Sequence, residues 1–372
     1  MSNIQEKMQQ EGETSDTSFT STMTLTKMGL SNVPQRFILP PSQRPNSGLG
    51  HHSTTNLPII DLSNLNNPSH RARTIDDIRT ACKKLGFFQF EQRYSSRSLI
   101  LYVINHGIST LTLNDAIDVA REFFNLPSDE KIHLASANVH NPVRYGTSLN
   151  HVKDKVHFWR DFIKHYSHPI EKWIEQWPSN PPSYKKKMGE YTKATYLLQK
   201  QLMQVVFQSL GLNPTYLQED IDGGSQVMAV NYYPACPQPE LALGMPPHSD
   251  FGSLTIINQS QEGLEIMDRD KKWHPVPLVE GALVVQLGDQ MEIMSNGKYK
   301  SVIHRATVNA ENKRISIASL HSLSLDRGVV PAPELVDEQH PLSYNEGSFS
   351  GFLSYISGND ITEGRYIDTL KK

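Results

Sequence analysis

Hydrophobic positions change rhythm along this chain. Over residues 74–85 the apolar side chains Ile75, Ile78, Ala81 and Leu85 recur every three or four places and Gly86 follows, which predicts a helix. Residues 112–125 repeat the pattern with Ile117, Ala120, Phe123 and Phe124, and Leu126-Pro-Ser-Asp-Glu130 supplies a stop and a fresh N-cap. A longer helix is predicted after Pro182, where Met188, Tyr191, Ala194, Leu198, Leu202, Val205, Val206 and Leu210 share a face and Gly211 closes it. After Gly224 the period shortens. Residues 227–233, 253–257, 264–267, 282–287 and 314–320 are short apolar or alternating runs between Gly, Pro, Asn and Asp turns, the pattern of strands in an all-β sandwich or barrel. A strand is expected to open the ordered part at Leu57-Pro-Ile-Ile-Asp61, and a last helix is expected over 349–356. The fold class is therefore mixed α/β (α+β), a helical front half packed on a β core. Residues 1–55 are polar and lack periodicity, with Pro34, Pro40, Pro41 and Pro45, and are expected to be a disordered leader.

Composition narrows the partners. At 372 residues, with 37% hydrophobic residues, the chain can bury a sizeable core, and a mean hydropathy of -0.46 is that of a globular protein. A formal net charge of -3 gives no electrostatic case for nucleic acid or a membrane surface, and no apolar run reaches the roughly 20 residues of a membrane span. Two cysteines, Cys82 and Cys236, make no disulfide framework and suit a reducing compartment. No signal peptide is evident, and Glu6, Glu11, Glu13 and Asp16 argue against a transit peptide. The expectation is a cytoplasmic monomer with a small-molecule partner.

Candidate chemistry begins at His248-Ser-Asp250. Of fifteen histidines only His248 has a carboxylate two places on, and the pair stands between Pro246-Pro247 and the strand-like Phe251-Gly-Ser-Leu-Thr-Ile256. At a strand entry, positions i and i+2 share a face. A neighbouring strand would add His304, in Val302-Ile-His304. Two imidazoles and a carboxylate cap one face of an octahedral ion and leave the other open, the arrangement of non-haem Fe(II) oxygenases. Further on, Arg314-Ile-Ser316 offers a planar fork of donors and a hydroxyl on one face, suited to the free end of a dicarboxylate. A zinc hydrolase could use the same three ligands, but it lacks an evident general base and gives Arg314 and Ser316 no role.

These motifs stand in company. Asn231-Tyr-Tyr-Pro-Ala-Cys-Pro237, Met245-Pro-Pro-His-Ser-Asp250, Gly281-Ala-Leu-Val-Val-Gln-Leu-Gly-Asp289, Tyr299-Lys-Ser-Val-Ile-His-Arg305 and Arg314-Ile-Ser316, with Gly86-Phe-Phe88 and Ile104-Asn-His-Gly107 in the front half, follow in the order of a known family. From about residue 56 onward the chain resembles the plant soluble 2-oxoglutarate/Fe(II)-dependent dioxygenases. Asn141-Pro-Val-Arg-Tyr-Gly-Thr147 and Gly223-Gly-Ser-Gln-Val-Met228 look most like the flavanone 3-dioxygenase-like branch.

The resemblance implies a double-stranded β-helix (jelly roll), with an N-terminal region over 56–180, a linking helix over 181–222, a core over 223–330 and a C-terminal helical extension over 331–372. It implies Fe(II) on His248, Asp250 and His304, with 2-oxoglutarate held by Arg314 and Ser316 and touched by Tyr233 and Asn231. O2 is the oxidant, ascorbate supports turnover, and no catalytic side chain beyond the metal ligands is required. The reaction would hydroxylate or desaturate a small aromatic, flavonoid-like metabolite and release succinate and CO2. Tyr145, Phe158, Leu320 and Phe352 are expected pocket walls. Flavonoid-using members tend to carry an aromatic side chain six places past the arginine, and here that place holds Leu320.

One segment departs from the pattern. Residues 90–102 (FEQRYSSRSLILY) separate Gly86-Phe-Phe-Gln89 from Val103-Ile-Asn-His-Gly107, which in the family would form one strand. The expectation is a splicing or gene-model artefact, with a genuine surface loop as the alternative; made as written, the segment would disturb strand register near His106, and an alternative function follows: a metal- and 2-oxoglutarate-binding relative with impaired turnover.

Overall fold

The computed structural model describes residues 19–45, 59–83, 100–150, 152, 154–268 and 270–372. Among these, twelve strands form two sheets that face each other across a cavity, a jelly roll with helices packed on its outer side. The strands are β1 (Ile59–Asp61), β2 (Ile100–Ile104), β3 (Val143–Thr147), β4 (Asp161–His168), β5 (Ser225–Tyr233), β6 (Met245–His248), β7 (Leu254–Gln259), β8 (Leu264–Met267), β9 (Trp273–Pro275), β10 (Leu283–Leu287), β11 (His304–Ala306) and β12 (Arg314–Ser322). The larger sheet runs β1-β2-β10-β7-β12-β5-β4-β3 and the smaller β6-β11-β8-β9. All pairs are antiparallel except β1 with β2.

Helices cover the outer face of the larger sheet because their apolar stripes match its outward side chains. Helix α1 (Thr22–Lys27) lies near the N-terminus, followed by α2 (Pro68–Lys83) and α3 (Thr110–Asn125). Ser109 caps α3 by accepting from Thr112 N–H. The longest, α4 (Tyr184–Leu210), buries Met188, Tyr191, Leu198, Leu202, Val205 and Val206 and stops where Gly211 adopts φ 85°, a left-handed turn that glycine enters without steric penalty. Helix α5 (Phe349–Gly358) closes one end of the cavity. No helix among the described residues is long and apolar enough to cross a membrane.

The leader expectation needs correction. Residues 19–45 are built against the core: Leu25, Val33 and Phe37 pack with Trp159, Cys236 and Ala242, and Leu39 packs with Phe158 and Leu243. The Asp161 carboxylate accepts from the backbone N–H groups of Thr22 (2.9 Å) and Met23 (3.1 Å), satisfying donors of the first turn of α1 and placing negative charge at its positive end. Backbone bonds from Leu39 N to Leu241 O and from His157 N to Arg36 O continue the strap. Leu25, Val33 and Phe37 share one small cluster and Leu39 joins another, with turns between them, so their spacing marks no single helix or strand. That is why the pattern suggested disorder.

Strands β3, β4 and β9 fall outside the runs that the hydrophobic pattern marked as strands. In β4 the run DFIKHYSH is largely buried on both faces while carrying Asp161, Lys164 and His165, so polar residues masked its strand character. As for the unusual segment, residues 90–99 lie outside the described residues. Its last three, Ile100 to Tyr102, are part of β2, which pairs in unbroken register with β1 and β10. Leu101 and Tyr102 are buried there. The described strand leading to His106 shows no register disturbance.

If Asp161 anchors the strap, Asp161→Ala leaves two buried donors unpaired and should lower stability by about 1–3 kcal/mol. The midpoint of urea unfolding measures this. An unchanged midpoint would place the anchor elsewhere.

Candidate active site

Strand pairing brings two of the three predicted ligands together, and a turn adds the third. His304 opens β11 and stands directly across from His248, the last residue of β6, so both imidazoles project from the same face. Pro246 and Pro247 are tolerated in β6 because it is the edge strand of the smaller sheet. Asp250 is not on a strand, contrary to the alternation argument: the chain leaves β6 at His248 and Asp250 sits in the turn before β7. Backbone contacts hold that turn. Asp289 N donates to Asp250 O at 2.8 Å, and a Cβ at Gly288 would meet Gly252 O at 2.3 Å and Asp250 O at 2.7 Å, so only glycine allows this approach.

One ligand atom from each of His248, Asp250 and His304 lies within 4.8 Å of the others. Each imidazole bonds through Nδ1 to the carbonyl two residues before it, His248 to Pro246 O (2.8 Å) and His304 to Val302 O (3.2 Å). A carbonyl only accepts, so Nδ1 carries the proton and Nε2 keeps its lone pair for a metal. Burial, reinforced by His304, pushes the His248 pKa down to about 3, which keeps the imidazole neutral. The Asp250 oxygens are used differently. Oδ2 accepts from Thr255 Oγ1 (2.7 Å) and Gln286 Nε2 (2.6 Å), while Oδ1 faces His248 Nε2 (3.6 Å) and His304 Nε2 (3.7 Å). Burial works to raise the Asp250 pKa, but the imidazoles and these two donors outweigh it and hold it below the usual carboxylate value. Two imidazoles whose Nε2 atoms turn toward each other and an ionised carboxylate suit a divalent iron with open coordination positions.

The cavity, about 260 Å³, runs from this cluster along the inner face of the larger sheet. Arg314 lines it beside Ser316. Its Nε donates to Gln261 O (3.1 Å) and one terminal nitrogen to Gln259 Oε1 (3.0 Å), while Nη1 is buried without a hydrogen-bond partner. An unpaired, buried guanidinium nitrogen facing a cavity fits the carboxylate of a small acid. Tyr233 pairs with Arg314 across the strands and lies under its guanidinium, 5.0 Å from ring centre. Asn231 pairs with Ser316, its amide nitrogen 3.4 Å from Ser316 Oγ.

Sequence reasoning missed Arg160, just before β4. It donates to Asn231 Oδ1 (2.9 Å) and twice to Ser148 O, tying the β3–β4 connection to the cavity wall. Of the expected pocket walls, Leu320 and Phe352 line the cavity, and Phe352 stacks on Phe251 at 5.1 Å. Tyr145 and Phe158 do not. Tyr145 pairs with Ile163, the neighbour of the cavity-facing Phe162 and Lys164, so strand alternation turns it to the opposite face, against Phe123. Phe158 is taken up by the N-terminal strap.

Comparison with known proteins places the chain in a family. Residues 224–322 match the model of the 2OG-Fe(II) oxygenase superfamily, and residues 57–180 match the model for the N-terminal region of non-haem dioxygenases in morphine synthesis. The chain is 42% identical over 336 residues to the 2-oxoglutarate-dependent dioxygenase 21, chloroplastic, of Oryza sativa subsp. japonica, covering 90% of this chain and 93% of that one. It is 39% identical to flavanone 3-dioxygenase 3 of the same plant, covering 85% and 93% respectively. Among solved structures, JOX2 in complex with 2OG, Fe and JA superposes with a TM-score of 0.81 at 30% identity, covering 95% of this chain and 98% of that one.

Thr255 touches the carboxylate rather than the ion position, so Thr255→Val removes one donor while keeping the shape. Fe(II) affinity, measured by titration under anaerobic conditions, should fall about 10- to 100-fold. Affinity equal to the unmodified protein would show that the bond does not orient Asp250.

Proposed function

The chain belongs to the 2OG-Fe(II) oxygenase superfamily and is a 2-oxoglutarate-dependent dioxygenase, and from that premise we propose that it hydroxylates or desaturates a small aromatic, flavonoid-like metabolite. One observation carries the reading: three ligand atoms converge on one end of a cavity whose wall also holds the unpaired nitrogen of Arg314. In this proposal His248, Asp250 and His304 hold Fe(II), and Arg314 and Ser316 hold the far carboxylate of 2-oxoglutarate, with Tyr233 and Asn231 completing that end. When bound, iron with 2-oxoglutarate and O2 supplies the oxidation, and 2-oxoglutarate leaves as succinate and CO2.

The rest is the work of the protein. Carbonyl bonds to both Nδ1 atoms fix the tautomers, and Thr255 and Gln286 fix the carboxylate. Arg314 provides a rigid planar fork where a lysine would provide a mobile point charge. Phe162, Phe251, Leu320, Phe349, Phe352 and Leu353 give the remaining wall an apolar lining that excludes water and suits a ring system. Leu320 in place of an aromatic side chain leaves that wall without a stacking partner at this point. The relatives bearing on substrate include flavanone 3-dioxygenase 3 and protein DMR6-LIKE OXYGENASE 1 of Arabidopsis thaliana, the latter 38% identical over 91% of this chain.

With Fe(II) and 2-oxoglutarate supplied, a screen of flavanones and other small aromatic compounds should reveal at least one that accelerates succinate release and acquires oxygen or a double bond. Arg314→Lys should raise the KM for 2-oxoglutarate by about tenfold or more, in keeping with loss of a charge-assisted bidentate contact. An unchanged KM would remove Arg314 from the co-substrate site.

A further inference from the structure

Cavity-facing residues of the larger sheet are arranged in rungs. Tyr233 and Arg314 form one, Phe162, Asn231 and Ser316 the next, and Lys164, Ala229, Ala318 and Ile257 the third. Successive rungs are two residues apart, about 6.7 Å along the strands. The third rung therefore lies about 13 Å along the strands from the arginine rung. Ala229 and Ala318 are its two central members, and their small side chains leave open space beside Lys164.

Lys164 has an unusual environment. It is half-buried, donates to Val139 O at 2.9 Å and lies 5.1 Å from the centre of the Tyr166 ring. Among the described residues it pairs with no carboxylate. Apart from Arg314, already assigned to the co-substrate end, other cations lining the cavity are engaged: Arg305 with Glu265, Arg365 with Asp368, Arg160 with Ser148 and Asn231, and Arg144 with the Ser136 and Leu149 carbonyls. Burial, with a smaller contribution from Arg144, pushes the Lys164 pKa down to about 7, so an arriving anion would stabilise its protonated form. The adjacent Phe162 ring is held between Arg144 and Arg160, with their guanidinium carbons 5.0 and 4.7 Å from its centre.

We propose that Lys164 anchors a carboxylate of the organic substrate, which lies over Ala229 and Ala318, so that the enzyme selects small aromatic acids over their neutral counterparts. This rests on the dioxygenase reading above and narrows its substrate class. Lys164 makes a positioning contact and takes no part in the oxidation.

The test uses full-length protein loaded anaerobically with Fe(II) and 2-oxoglutarate. Calorimetry measures binding of hydroxybenzoates and hydroxycinnamates, each paired with its methyl ester. The acids should bind about tenfold or more tighter than the esters, as expected for one charge-assisted hydrogen bond. Lys164→Met should erase that difference while leaving the KM for 2-oxoglutarate unchanged, and Lys164→Arg should retain most of it. Equal binding of acids and esters, absence of binding by any acid, or a preference that survives in Lys164→Met would overturn the anchor. Failure to consume 2-oxoglutarate with any compound would instead overturn the substrate proposal on which it rests, and the binding comparison would still report on Lys164.

Discussion

Asp250 has two oxygens, and the structure commits them to different tasks. Thr255 and Gln286 occupy one, which leaves the other turned toward two imidazole nitrogens. Those nitrogens are available because backbone carbonyls have claimed the opposite side of each ring. The centre thus depends on hydrogen bonds that never reach the ion. They come from β6, β7, β10 and the residues before β11, so both sheets must close before the three ligands meet. Folding and assembly of the site are one event.

Much of this was legible in the sequence. The helical stripe of α4 and the alternating runs of β5, β7 and β12 are strong periodic signals, and their partners in space follow from them. The ligand residues could be named because His248 and Asp250 are two positions apart and His304 falls in a separate apolar run. Their local geometry could not, since Asp250 belongs to a turn fixed by Gly288 and Asp289, far away in the chain. The N-terminal strap was illegible because its few apolar residues pack in small clusters whose other members, such as Trp159, Cys236 and Ala242, come from distant segments. Tyr145 was misread because the face on which a strand residue lies depends on register with its neighbour, and β4 hid its strand character behind buried polar residues.

The strap and the cavity wall are joined mechanically. Asp161 holds α1 from the first residue of β4, and Arg160, immediately before it, holds Asn231 and the carbonyl of Ser148. Neighbouring residues thereby secure an outer layer and an inner surface. Along the same strand the inward positions pass from Phe162 to Lys164, so β4 contributes both shape and charge to the cavity. A strand that the hydrophobic pattern did not mark supplies much of the wall's chemical character.

The paired prolines of β6 carry one further implication. This strand is the outermost member of its sheet, and an open sheet margin ordinarily invites extended chains to add to it. Prolines lack the amide hydrogen such pairing requires, so two of them in succession blunt the margin that bears His248. The rim that carries His248 is thereby shielded from intermolecular β-addition by the same short segment that sets this imidazole across from His304.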